Sequence, residues 1–211
     1  MELLHTDGRI AVCIKPAGVL SVDAENGMPA LLRRELKTDC FRTVHRLDAA
    51  VSGVTVYARS QKAAALLSEQ LRNGEFHKEY LAVIHGTPAE SEGELRDLLL
   101  HDRKTRLTSV VNEPSKDARQ AALSYRVLEK EDGMSLLLIR LHTGRTHQIR
   151  VQFSSRALPL VGDRKYGNGA DDCPIALWSY RLSFRHPQTD EPLTFTKSPP
   201  RQYPWTVFNN I

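Results

Sequence analysis

The sequence predicts an α+β fold, a largely antiparallel mixed β-sheet flanked by helices and loops. Three observations predict it. Strand-like and helix-like stretches follow one another without the regular alternation that builds a parallel βαβ sheet. Ala118–Gly144 reads as two strands joined by an Asp-Gly turn within Glu131–Gly133, the signature of an antiparallel hairpin. Ala176–Pro200 repeats the plan as strand, polar turn and strand.

The elements follow in chain order. Gly8–Pro16 is a short strand stopped by Pro16, and PAGVLS after it is a turn or loop. Pro29–Leu36 is a short helix with proline at its first position. Val44–Asp48 is extended or loop, and Gly53–Ser60 alternates like a strand. Ser60–Gly74 is the clearest helix: Ser60 caps it, Ala64, Leu67 and Leu71 share a face, and Gly74 ends it. His77–Gly86 is β-branched and aromatic, hence a strand. Glu90–Arg106 reads as turn-rich and polar. Arg145–Ala157 fits a helix with Thr146 as its cap, and Gly162–Asp172 is loop. No repeat and no linker is visible, so residues 1–211 are expected to form a single domain.

Composition excludes more than it assigns. Hydrophobic residues make up 41 % and charged residues 26 %, values ordinary for a globular chain. No apolar run reaches the roughly 18 residues of a membrane span, and the N-terminus does not read as a signal peptide. Cys13, Cys40 and Cys173 are far apart and form no CxxC, so neither a disulfide framework nor a zinc site is suggested. A cytoplasmic, monomeric protein is expected. The net charge of +4 favours nucleic acid only weakly. Its distribution says more: Arg140, Arg145, Arg150, Arg156, Arg164 and Lys165 face a single acid, Asp163, and His101–Arg106 forms a second basic knot. Either cluster alone is equally consistent with a solvated surface.

Several chemistries fall away. HRLD is not a kinase HRD loop, because a leucine separates Arg46 from Asp48 and no glycine-rich loop or DFG accompanies it. GxxxxGK[ST] and GxSxG are absent. His142 and His147 are spaced five apart, which does not suit metal ligation from one helix face. Asp48 remains. A lone Asp before a small-residue turn is commonly a turn or capping residue. Here apolar neighbours suggest partial burial, and the strand beginning at Gly53 would hold the loop rigidly, as loops carrying catalytic groups often are held.

HRLDAAVSG (His45–Gly53), KEYLAVIHG (Lys78–Gly86) and LHTGRTHQIRVQFSSRALPLVGDRKYG (Leu141–Gly167) together resemble the RluA-type pseudouridine synthases. KPAGVLS near the start and LSFRHPQTDEPLTF near the end fit the same family, in the same order and over nearly the whole chain. The resemblance implies the pseudouridine synthase catalytic fold with a central RNA-binding cleft. It also implies conversion of uridine to pseudouridine in ribosomal or transfer RNA, without cofactor or metal. The base is detached from C1′, turned and rejoined through C5.

Residue roles come with the resemblance. Asp48 matches the family's catalytic aspartate, and Arg150 the arginine that pairs with it; an ordinary exposed helix arginine is the alternative. Tyr80 matches the active-site tyrosine, whose ring can stack on a flipped uracil; a packed strand tyrosine is the alternative. Ile149 would wall the base. Arg46 would enter the gap the flipped nucleotide leaves, and with His45 would grip RNA. Lys78, Arg145 and His147 are candidates for phosphate contacts, which position without reading sequence. Ser52 and Gly53 would turn the chain tightly toward the next strand.

The chain departs from the family pattern at Val51, where threonine is usual, at Gly74, where an arginine is frequent, and at Trp178, where many relatives have histidine. Catalytic motifs begin at Lys15–Pro16, so no S4-type RNA-binding domain is expected ahead of them. A catalytically silent RNA-binding or chaperone protein is the competing reading, motivated by Val51. An N-glycosidic hydrolase that lets water finish is a third.

Overall fold

The computed structural model describes residues 1–209. Its contacts gather into two compact units, each assembled from separate stretches of chain: Met1–Lys78 with Trp178–Ser198, and Glu79–Leu177 with the residues from Pro199 onward. Neither unit is one continuous segment, which is why no shift in composition marks a boundary.

The first unit is a mixed sheet sandwiched between two helices. Strands β1 (Leu3–Thr6) and β2 (Ile10–Lys15) form a hairpin. Asp7 shapes its turn by accepting the Arg9 and Ile10 N–H groups on one carboxylate oxygen. Helix α1 (Met28–Leu36) and the two-residue β3 (Arg42–Thr43) come next. Then β4 (Ser52–Ala58) runs antiparallel to β2, with Ile10 opposite Ala58 and Lys15 opposite Gly53. Helix α2 (Gln61–Asn73) starts as the sequence predicts: Ser60 Oγ accepts the Ala63 N–H, and Gly74 ends the helix at φ 76°.

Alternation along β2 and β4 sorts their side chains to opposite faces. Ile10, Val12, Val54 and Val56 pack with Leu67 and Phe76, while Ala11, Cys13 and Tyr57 pack with Met28, Leu32 and Phe41. Helix α2 therefore covers one face and α1 the other. Each such buried aliphatic or aromatic side chain contributes about 1.5–3 kcal/mol relative to exposure.

The second unit is antiparallel throughout. It comprises most of β5 (His77–His85), with β6 (Glu92–Asp102), β7 (Leu107–Val111), β8 (Arg119–Glu131) and β9 (Met134–Leu141). The spatial order is β5-β9-β8-β6-β7. Asp132 and Gly133, both at positive φ, make the two-residue turn between β8 and β9 that the sequence predicts. The short helix α3 (Gln148–Ser154) packs through Val151 against Leu99 and Ala121. In the first unit again, β10 (Leu177–Arg185) runs parallel to β4, and β11 (Pro192–Thr196) closes a hairpin on β10.

Two expectations are corrected. Glu90–Arg106 is not a turn-rich stretch, because β6 fills most of it and pairs with β8 on one side and β7 on the other. Its inward face carries Leu95 and Leu99 but also Asp97, whose carboxylate is satisfied by Gln152 Nε2 at 2.7 Å and by both terminal nitrogens of Arg156 at 3.0 Å. An acid on the inward face hides the period-two signal. The helix expected over Arg145–Ala157 is confined to Gln148–Ser154, and Thr146 is not its cap. His147 stands at the helix start with φ 55°, and the Gln148 side-chain oxygen instead accepts the Arg145 N–H at 3.0 Å.

Candidate active site

The Asp48 loop lies in the first unit. Its side chains alternate: His45 and Leu47 are buried, Arg46 is exposed, and Asp48 is half-buried. Two anchors hold it. Ser21 Oγ donates to the Leu47 carbonyl at 2.9 Å and accepts the Leu47 N–H at 3.0 Å. Gly18 N–H donates to the Ala49 carbonyl at 2.8 Å. The turn closes on itself, since Val51 N–H reaches the Asp48 carbonyl at 3.0 Å. This bracing runs through main-chain groups of the loop and the Ser21 hydroxyl, so the hydroxyl that Val51 lacks takes no part in it. The Val51 side chain is buried instead.

Lys15 adds a third anchor. Its side chain is fully buried and donates to the carbonyls of Pro16, Val19 and Ala49 at 2.9, 2.7 and 3.1 Å. Burial pulls its pKa down to about 8, and the charge of Asp48 opposes that shift. The sequence reading placed Lys15 only in an opening motif. The available signal was a lysine ending a wholly apolar strand immediately before Pro16.

Two expected roles change. His45 does not face RNA. Its ring lies 5.5 Å from Phe76, its Nε2 accepts the Val56 N–H at 3.4 Å, and burial, aided by the charge of Lys78, lowers its pKa to about 3. It is a neutral core histidine. Gly53 does not make the turn; it lies within β4 at φ 124°, and a Cβ there would sit 2.4 Å from the Ser179 carbonyl oxygen of β10. Trp178 is buried and donates its indole N–H to the Lys197 carbonyl at 2.7 Å. Lys78, at the start of β5, is half-buried, and burial lowers its pKa.

The second unit carries the other candidates. Tyr80 is buried on β5 opposite Ile139 of β9. Helix α3 presents Ile149 and Arg150, both buried, from consecutive positions. Arg150 forks onto Asp163, Nε to Oδ2 at 2.8 Å and Nη2 to Oδ1 at 2.7 Å. Its guanidinium lies 5.1 Å from the centre of the Tyr166 ring. Asp163 Oδ1 also accepts the main-chain N–H groups of Lys165 and Tyr166 at 2.9 and 3.1 Å. Burial works to raise the Asp163 pKa, but these donors and the Arg150 charge hold it below the usual carboxylate value. His147 Nδ1 lies 2.7 Å from the Tyr166 hydroxyl, and exposed Arg145 donates from Nε to the Gln120 carbonyl at 2.9 Å.

Asp163 and Tyr166 were not singled out from the sequence. The signal was present, because Asp163 is the lone acid in an otherwise basic stretch, where one carboxylate among many cations marks a specific pairing. Among the described residues, no group of acids, histidines and cysteines is arranged to hold a metal ion.

Comparison with known proteins shows the family. Residues 9–155 match the family described as RNA pseudouridylate synthase. The chain is 35 % identical over 217 residues to ribosomal large subunit pseudouridine synthase D of Xanthomonas campestris pv. campestris, covering 92 % of this chain and 64 % of that protein. It is 32 % identical over 197 residues to the dual-specificity RNA pseudouridine synthase RluA of Vibrio parahaemolyticus, covering 89 % of this chain and 79 % of that one. A solved structure, human RNA pseudouridylate synthase domain containing 1, superposes with a TM-score of 0.81 at 24 % identity, covering 95 % of this chain and 84 % of that chain. This likeness shows a shared fold.

Proposed function

The chain belongs to the RluA-type RNA pseudouridine synthases, and from that premise we propose that it isomerises uridine to pseudouridine in ribosomal or transfer RNA with Asp48 as the catalytic aspartate. The observation that carries this reading is the bracing of the Asp48 loop. Ser21, Gly18 and Lys15 fix the chain at Leu47 and Ala49, on either side of a half-buried carboxylate. A merely solvated turn aspartate needs no such support.

In this reading the target uridine is flipped from its stack, which costs a few kcal/mol. The Asp48 carboxylate acts on it as an anion. The bond between N1 and C1′ breaks, the base turns, and C5 bonds to C1′; the hydrogen at C5 leaves as a proton and N1 takes one up from solvent, so atoms and charge balance. Arg150 is the cation of the site, kept charged and oriented by its fork onto Asp163. Tyr80 offers its ring to the uracil, and Ile149 an apolar wall. Arg46 is exposed and fills the place of the extruded base. Lys78, Arg145 and His147 hold phosphates. Residues 1–211 act as one catalytic domain.

The test is release of tritium from RNA labelled at C5 of uridine, with pseudouridine mapped in the product. Asp48→Ala is expected to abolish release while RNA binding stays within a few-fold. Near-normal turnover by Asp48→Ala would remove the assignment, and wild-type protein that binds RNA but releases no tritium from total ribosomal and transfer RNA would leave the silent binding protein standing.

A further inference from the structure

Two segments of the first unit are fastened side by side. Gly18 N–H donates to the Ala49 carbonyl at 2.8 Å, and Ser21 Oγ both donates to and accepts from the Leu47 main chain. Lys15 Nζ bridges the two, reaching the Val19 and Ala49 carbonyls at once. Leu20 therefore stands between Gly18 and Ser21, whose partners flank Asp48. Its own place is fixed as well. The Leu20 carbonyl accepts the Met28 N–H at 2.8 Å, where α1 begins, and the Ser21 carbonyl accepts the hydroxyls of Thr43 and Tyr57 at 3.0 and 3.2 Å.

The buried members of the two segments, Ser21 and Leu47, meet. What they leave outside is Leu20 and Val22 on one segment, exposed by 47 % and 37 %, and Arg46 with half-buried Asp48 on the other. Single exposed apolar side chains are ordinary on a protein surface. Here two of the five large apolar side chains exposed among the described residues share one anchored segment. A leucine held in water at a fixed place gains free energy when an apolar surface covers it, and little ordering entropy is left to lose. The apolar surfaces of an RNA are the faces of its bases. A base beside an extruded uridine has lost a stacking neighbour, so one face is open to a side chain. Leucine is among the residues that proteins insert between base steps.

We propose that Leu20 is an RNA-contacting residue: its side chain packs on the face of a nucleobase next to the extruded uridine, beside Arg46, and Val22 widens the same apolar step. The inference rests on the reading of the Asp48 loop as the loop that meets the flipped uridine. It deepens that reading by adding an apolar contact at a fixed place to the charged ones.

Two measurements on the full chain decide it. With a photoreactive benzophenone side chain in place of Leu20, irradiation with total ribosomal and transfer RNA is expected to link protein to RNA. The same group in place of exposed Gln188 should not, because Gln188 bonds to Arg9, just before β2, whereas Lys15 ends that strand. No RNA adduct from position 20, an equal yield from both positions, or an adduct to a second protein chain in its place overturns the proposal. In the second measurement, Leu20→Ser is expected to raise the KM for tritium release about five- to tenfold, the loss of part of one buried leucine, with the maximal rate changed by less than about twofold. The side chain is exposed, so folding should be unaffected. Leu20→Met keeps an apolar side chain and should hold KM within about twofold of the wild type. An apolar contact displaces no counterions, so the factor for Leu20→Ser should be the same at every salt concentration. An unchanged KM in Leu20→Ser, an equal defect in Leu20→Met, or a factor that vanishes as salt rises overturns the proposal. The crosslink needs no turnover, so failure of the proposed isomerisation would be seen separately, as absent tritium release by the wild type.

Discussion

His45 and Arg46 are neighbours in sequence with opposite environments. Arg46 is exposed, while His45 is pressed against Phe76 and accepts the Val56 N–H. Its pKa of about 3 in the folded state lies well below the ordinary 6.5. Between those values the unfolded chain binds a proton that the folded chain refuses, so stability falls as pH drops through that window. Each pH unit below 6.5 costs at most about 1.4 kcal/mol. Asp7, whose pKa is lowered to about 2, acts in the same direction but only below 3.8, so its contribution stays out of the range from about pH 6.5 to about 4 in which His45 acts. His45→Gln, which cannot titrate, is expected to flatten the fall of unfolding free energy over that range, measured by urea titration. Parallel pH profiles for the two proteins would show that His45 is not the buried neutral group. The sequence offered one clue to this orientation: Leu47, two residues on, must share the side of His45 in an extended segment. The adjacent arginine suggested the opposite.

At the scale of elements, glycines separate two kinds of requirement. At Gly53 a side chain would meet the main chain of Ser179 and also sit at φ 124°, whereas at Gly74 the space is open and only φ 76° is at issue. Gly74→Ala is expected to cost about 1 kcal/mol for the left-handed conformation. Gly53→Ala is expected to cost about 3 kcal/mol or more, because strain and overpacking combine where β4 meets β10. Urea melts of the two variants check the ranking, and equal losses would mean that β10 yields easily. The difference between them marks what the sequence could disclose. Helix α2 was legible at both ends because Ser60 and Gly74 act on their own helix. The turn at Asp132–Gly133 was legible for the same reason. Gly53 answers to a strand more than a hundred residues away, and Asp97 on β6 to Gln152 and Arg156. Such non-local demands left β6 hidden and made α3 seem longer than it is. The candidate site divides likewise. Asp48, Tyr80 and Arg150 stood out through motifs, but the fork between Arg150 and Asp163 and the anchoring by Lys15 depend on contacts that spacing does not reveal.

For the whole molecule, a net charge of +4 is too small to explain RNA affinity by itself, so the arrangement of the cations has to supply it. Arg46 in the first unit and Arg103, Lys104, Arg106 and Arg145 in the second are exposed. Exposed Arg185, by contrast, is already paired with Asp190 at 2.8 Å. Cations that meet phosphates displace condensed counterions, whereas a cation with its own carboxylate displaces few. The logarithm of the RNA association constant should therefore fall linearly with the logarithm of salt concentration, and removing one phosphate contact should lower the slope by roughly 0.7–0.9. Arg145→Ala is expected to weaken binding and reduce the slope by about that amount, since its Nε bond to the Gln120 carbonyl aims an exposed guanidinium from a fixed base. Arg185→Ala should leave the slope unchanged. The measurement is retention of transfer RNA across a salt series for the wild type and both variants. If the two variants give the same slope, binding depends on overall charge alone, and the assignment of Arg145 to a phosphate contact is lost.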